Sequence, residues 1–287
     1  MNWQNDWGLR GRMMVTAGLL AILYIAFAVV LIEVLGAGIP VALMFVGGFS
    51  LVQYYLSDKL ALRSMGAKRV DESEYPELHQ QISRLSQQAD LPKPDVAVAE
   101  SEVPNAFATG RNQNNAVVCV TTGLLRTLDD DELEGVLAHE LAHIKNRDVM
   151  IMTIASFLST IAFMVVRYGA LFGNQNRQGG IIVAIGASFI VWILSFILIR
   201  ALSRYREYAA DRGAAQITGN PGALASALMS ISGKMDRVPK KDLREQSEMN
   251  AFFIIPISKG FIGKLFKTHP STEKRISRLQ EMQAEMA

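Results

Sequence analysis

The 287-residue sequence predicts a mainly helical α+β protein built on membrane-spanning helices. Three observations lead there. Half of the residues (50%) are hydrophobic, and the mean hydropathy of +0.19 is too high for an ordinary soluble domain. Four windows, 13–32, 34–57, 149–166 and 178–199, contain no Asp, Glu, Lys or Arg over about the 17 to 25 residues that cross hydrocarbon. Between the second and third windows, short extended runs sit among amphipathic helical patterns.

The first window is longer than the apolar core of a signal peptide, and no small-residue cleavage site follows it, so it is expected to be a retained anchor. Only Glu33 and a turn containing Gly36, Gly38 and Pro40 join the first two windows. The last two are joined by the polar stretch from Asn174 to Gly180, so both pairs are expected to be helical hairpins. Arg10, Arg12, Lys59, Arg63, Lys68, Arg69, Lys145, Arg147, Arg200, Arg204 and Arg206 then fall on one side of the membrane, and only Arg167 and Arg177 on the other. The first side, with both termini, is expected to be cytoplasmic. The expected organisation is a hairpin over 1–57, a soluble segment over 58–148, a second hairpin over 149–199 and a second soluble segment over 200–287. The two soluble segments emerge on the same face and can build one domain.

Within the first segment, Tyr75 to Ala89 reads as a surface helix with Leu78, Ile82 and Leu85 inward. His79 on that helix has a structural role as its default. Extended runs follow at Val96–Ala99, Ala106–Thr109 and Ala116–Val120, bounded by Pro, Gly and Asn, and suggest a small antiparallel sheet. Peptides often bind by adding a strand to a sheet edge, and Asn105 to Thr109 is the candidate edge here, with Asn105, Ala106 and Phe107 as candidate substrate contacts.

The strongest local signal is His139-Glu140-Leu141-Ala142-His143. The preceding residues predict a helix. Asp129 is suited to the N-cap with Glu132 as its capping-box partner, acids crowd the first turn, and Leu133, Val136, Leu137, Leu141 and Ile144 recur at helical spacing. On such a helix His139 and His143 are one turn apart and can reach a single ion, while Glu140 stands beside the pair, as a general base should. A catalytic zinc takes three protein ligands and keeps a position for water. The third ligand can come from Glu207 or Asp211, four apart on a helix that leaves the fourth window as the histidine helix enters the third. One would bind metal and the other would orient a histidine from behind, and spacing leaves open which does which.

Taken in order, the two N-terminal windows, Pro104 to Gly110, the stretch His139 to Asp148, the hairpin after it and Glu207-Tyr208-Ala209-Ala210-Asp211 resemble the HtpX-type membrane zinc metalloproteases, relatives of the CaaX prenyl proteases. The resemblance covers essentially the whole chain, with no departure at a ligand position. It implies a cytoplasmic zincin-like metalloprotease domain, one zinc per chain, Glu207 as the third ligand and Asp211 as the orienting acid. It also implies cleavage of damaged or misassembled membrane proteins in the cytoplasmic membrane, as part of quality control under stress.

Zinc lowers the pKa of bound water to about 7 and polarises the scissile carbonyl, with Glu140 taking the water proton. Candidate oxyanion donors are Arg204, Tyr205, Tyr208 and His269, the last in Thr268-His269-Pro270-Ser271 ahead of a C-terminal helix. The apolar run 251–257 is too short to span and is expected to be core.

Other classes fit less well. Structural zinc is normally closed by four ligands rich in thiols, whereas the chain has one cysteine, Cys119, expected to be an inert core residue. The spans carry almost no ionisable groups of the kind a transporter needs, and 128–148 is too charged for the hydrocarbon centre. A net charge of +2 without a dense basic run excludes a nucleic-acid footprint. The expected partners are protein or peptide substrates and the lipid bilayer.

Overall fold

The computed structural model describes residues 7–35, 47–48, 51–52, 54–168, 178–235 and 270–286. The chain divides into two units. One holds Met1–Trp3, Tyr55–Val149 and Arg206–Ala287, and the other holds Gln4–Tyr54 and Met150–Tyr205.

The second unit is helical and apolar. α1 (Trp7–Leu35) covers the first expected span. α6 (Asp148–Tyr168) and α7 (Gln178–Thr218) cover the third and fourth, and each also reaches into the first unit. By length and composition these three helices can cross a membrane. The expected second span, 34–57, lies mostly outside the described residues. Leu20, Tyr24, Phe27, Ala155, Ile161, Ala162 and Val191 form the internal contact of this unit, and Tyr24 Oη donates to the Ala155 carbonyl at 2.5 Å. Outward-facing Ile22, Ile25, Val29, Ile154, Ile182, Val183 and Ile190 stay exposed, as a surface meeting lipid requires.

The first unit contains α2 (Ser57–Ser64), β1 (Lys68–Arg69), α3 (Pro76–Gln88), β2 (Asp95–Ala99), β3 (Ala106–Gly110), β4 (Ala116–Thr121), α4 (Thr122–Leu125) and α5 (Asp130–Lys145). The end of α7 leads into α8 (Pro221–Met235), and α9 (Thr272–Met286) is the last described helix. On α3, Leu78, Ile82 and Leu85 face the core as expected, and His79 Nε2 lies 3.0 Å from the Val70 carbonyl.

The four strands lie in the order β1-β2-β4-β3, and the sheet is mixed, which corrects the expected antiparallel one. β3 and β4 form an antiparallel hairpin, but β4 lies parallel to β2 with Ala97 opposite Cys119. The reason is burial on both faces. Val96, Val98, Val118 and Val120 join the core under α3 and α5, while Ala97, Ala99, Val117 and Cys119 pack on Ala61 and Leu62 of α2. Strands covered on both sides read as continuous apolar runs and suit a parallel pairing, whose crossover here contains β3 itself. That topology leaves β3 at the sheet edge. β1, only two residues long, was not foreseen.

Candidate active site

α5 forms as its sequence dictates. Asp129 Oδ1 accepts the Glu132 amide at 2.8 Å, and the Glu132 carboxylate returns to the Asp129 amide, so the capping box is complete. The other oxygen of Glu132 accepts from Ser226 and Ser230 on α8, at 2.6 and 2.8 Å, tying the two helices together. Their approach depends on Gly135, where a Cβ would lie 2.8 Å from the Leu224 amide nitrogen. The helix is therefore central, with His139 and Glu140 both buried.

α7 brings the acids. Glu207, Ala210, Asp211 and Ala214 recur at helical spacing and are all buried, the alanines joining the same core as Leu137 and Leu141. His139 Nε2 then stands 3.1 Å from His143 Nε2 and 3.6 Å from Glu207 Oε2, and His143 Nε2 is 3.5 Å from Glu207 Oε1. Two ligands on one tetrahedral zinc, at about 2.0–2.2 Å from the ion, lie about 3.3–3.6 Å apart. The triangle of ligand atoms in His139, His143 and Glu207 fits one such ion.

Behind each histidine stands a carboxylate. Asp211 Oδ1 is 3.0 Å from Nδ1 of His139, and Asp148 Oδ2 is 2.5 Å from Nδ1 of His143. Each carboxylate in turn meets an arginine. Arg206 Nε lies 2.8 Å from Asp148, and Arg275 grips Asp211 through Nε and Nη2 at 2.9 and 2.6 Å. In their ionised forms, the buried carboxylates of Glu140, Asp148, Glu207 and Asp211 stand against the buried guanidiniums of Arg206 and Arg275. With both histidines neutral, as metal ligands must be, two negative charges are left over, which a divalent cation would neutralise.

The electrostatics follow the packing. Burial opposes a charge on His139, but the flanking carboxylates of Asp211 and Glu207 outweigh it and hold the ring up at about 9. Burial pushes Glu140 above the usual carboxylate range. Burial alone would weaken the charge on Arg275, yet Asp211 and Glu207 more than restore it. Glu140 Oε2 accepts the Ala108 amide of edge strand β3 at 2.8 Å, and Oε1 is the carboxylate's other proton-accepting atom.

Sequence reasoning gave no site role to Asp148, Arg206 or Arg275, and did not foresee that Ala108, within the candidate edge, donates to Glu140. Asp148 stands five residues beyond His143, and Arg147 between the helices takes the left-handed conformation (φ 54°) that turns the chain back. Arg206, in the sequence only one of the cations flanking the spans, pairs with Asp148. Arg275 carried a usable signal, since with Leu279 and Met282 it falls on one stripe of α9, a polar residue in an apolar position.

Of the candidate substrate and oxyanion contacts, Asn105, Ala106 and Phe107 are buried where the chain enters β3. The Tyr208 ring lies 4.4 Å under the Arg278 guanidinium. Arg204 and Tyr205 belong to the apolar unit. His269 and the run 251–257 lie outside the described residues.

Apolar spanning helices together with a buried H-E-x-x-H helix and a third acid define a membrane metallopeptidase. Comparison with known families makes this specific: the family model described as peptidase family M48 matches residues 72–283. The chain belongs to that family, with relatives named as HtpX proteases. It is 57% identical to "Protease HtpX homolog 2" of Methanosarcina mazei, the match covering 99% of each chain. It is 51% identical to "Protease HtpX homolog" of Moorella thermoacetica, over 98% of this chain and 97% of that one. The crystal structure of S. mikatae Ste24p has the same fold (TM-score 0.56) at 18% identity, over 95% of this chain and 66% of that one.

Proposed function

We propose that this membrane peptidase is a zinc-dependent endopeptidase in which His139, His143 and Glu207 hold one zinc per chain and Glu140 is the general base. The observation that carries this is that the two Nε2 atoms lie 3.1 Å apart and each stands 3.5 to 3.6 Å from one of the two Glu207 carboxylate oxygens, with each histidine backed by its own carboxylate. When bound there, zinc supplies Lewis acidity, making water more acidic and polarising a scissile carbonyl.

The chain's own residues do the rest. Glu140 is held at Oε2 by the Ala108 amide, so Oε1 is the atom that takes the proton of the attacking water and returns it to the departing amine. Its raised affinity for protons suits both transfers. Asp211 and Asp148 fix the histidine rings with Nε2 turned toward the shared ligand position. Edge strand β3 offers main-chain groups to an extended peptide running beside Glu140.

The domain formed by 58–148 and 200–287 lies on the cytoplasmic side, with 1–57 and 149–199 as its hairpins in the cytoplasmic membrane. The lopsided distribution of lysine and arginine around the spans supports that orientation. Its substrates are damaged or misassembled membrane proteins, as the resemblance of its motifs to the HtpX-type metalloproteases implies. The test is cleavage of an unfolded membrane protein in liposomes by the purified chain, before and after chelation and zinc restoration. Hydrolysis that chelation abolishes and zinc restores is expected. Chelator-resistant hydrolysis contradicts the proposal.

A further inference from the structure

α9 contributes one wholly buried charge. Arg275 is 1% exposed, on a helix whose first turn is otherwise open to solvent. α9 is docked by Leu279, which is fully buried, and by Gln283, whose Oε1 accepts the Gly222 amide of α8 at 2.9 Å. That seat carries the guanidinium to Asp211, where two of its nitrogens bind the two carboxylate oxygens in a fork. Nη1 reaches to 3.5 Å from Glu207 Oε2, and Nη2 to 3.4 Å from the His139 ring.

A positive charge this close to a site for a dication repels the ion. If charge alone mattered, removing Arg275 would tighten metal binding. Geometry argues the other way. Asp211 serves His139 and Arg275 together, and the fork from Arg275 holds the same oxygen, Oδ1, that faces Nδ1 of His139. The carboxylate behind a metal-binding histidine sets ring orientation and ligand strength.

We propose that Arg275 is a positioning residue through which α9 completes the metal centre: by clamping Asp211 it fixes His139 and so raises metal affinity. The proposal rests on the zinc reading above. It makes the two soluble segments interdependent, because a residue near the end of the second segment sets the strength of a ligand in the first.

The test uses the full chain in detergent, with Arg275→Met and Arg275→Lys. Zinc affinity is measured by competition with a chelator of known affinity, the ligand field by cobalt(II) absorption, and folding by thermal melting. Arg275→Met is expected to weaken zinc about 10- to 100-fold and to shift the cobalt spectrum. Arg275→Lys, which keeps the charge but loses the fork, is expected to lie between Arg275→Met and wild type. For whichever variant melts like wild type, a loss of about fivefold or more supports the proposal, and a smaller loss or tighter binding overturns it. If Arg275→Met does not fold, Arg275→Lys decides by the same threshold. A wild-type chain that takes up neither zinc nor cobalt contradicts the metal reading itself, which is a separate result.

Discussion

Nδ1 of His143 lies 2.5 Å from Oδ2 of Asp148, across a turn in which Arg147 alone separates Asn146 at the end of α5 from α6. The helix carrying both histidines is thus locked to the start of the next helix by one of those histidines. Asp148→Asn keeps the shape and removes the charge, and is expected to weaken zinc about tenfold to a hundredfold without unfolding the chain. Chelator competition measures this, and unchanged affinity would show that the contact does not tune the ligand.

Glu207→Ala removes one corner of the ligand triangle and leaves two histidines, too few for a catalytic site. Metal content is expected to fall from about one per chain to near zero, and hydrolysis with it. Elemental analysis of the purified variant checks this. Retention of a full equivalent would move the third ligand elsewhere.

The histidine helix was legible in the sequence because its signals are local. Its cap, its apolar stripe and the spacing of His139 and His143 all lie within about one helix length, and each is found as expected. Leu78, Ile82 and Leu85 on α3 were legible for the same reason. The direction of β4 was not, since continuous burial of Val117 to Val120 erases the alternation that would reveal a one-sided strand. Arg275 and Asp148 were missed because their partners are tertiary. One is 64 residues from the acid it clamps, and the other reaches its histidine only through a left-handed turn.

Gly135→Ala sets two effects against each other. Alanine improves helix propensity by about 1 kcal/mol, but the added Cβ would stand 2.8 and 3.0 Å from backbone atoms of Leu224, which cannot swing aside. Overpacking of this kind costs about 1–3 kcal/mol, so a net loss of stability is expected. Thermal melting decides, and a raised melting temperature would mean that α5 and α8 are less closely packed.

Burial pushes the Cys119 thiol up to about 12, with the Glu140 carboxylate adding to the effect. The folded chain should therefore resist alkylation at pH 8 and react readily once denatured. The raised pKa also fixes a sign. The thiol's contribution to stability is fully present below its ordinary value of 9.0 and is lost as pH rises from there toward about 12. Denaturation measured at pH 8 and pH 11 should show that decline in wild type and less of it in Cys119→Ala. An equal decline in both would assign the alkaline loss to other groups.

The most direct test of the proposed chemistry is zinc stoichiometry and casein hydrolysis measured together on wild type and Glu140→Gln. Glu140 contacts the Ala108 amide and lies outside the ligand triangle, so the variant should hold zinc as the wild type does. Its hydrolysis should fall by about 10²- to 10⁴-fold, the usual contribution of a general base. A variant that binds zinc and still cleaves at the wild-type rate would contradict the assignment of Glu140 as the base.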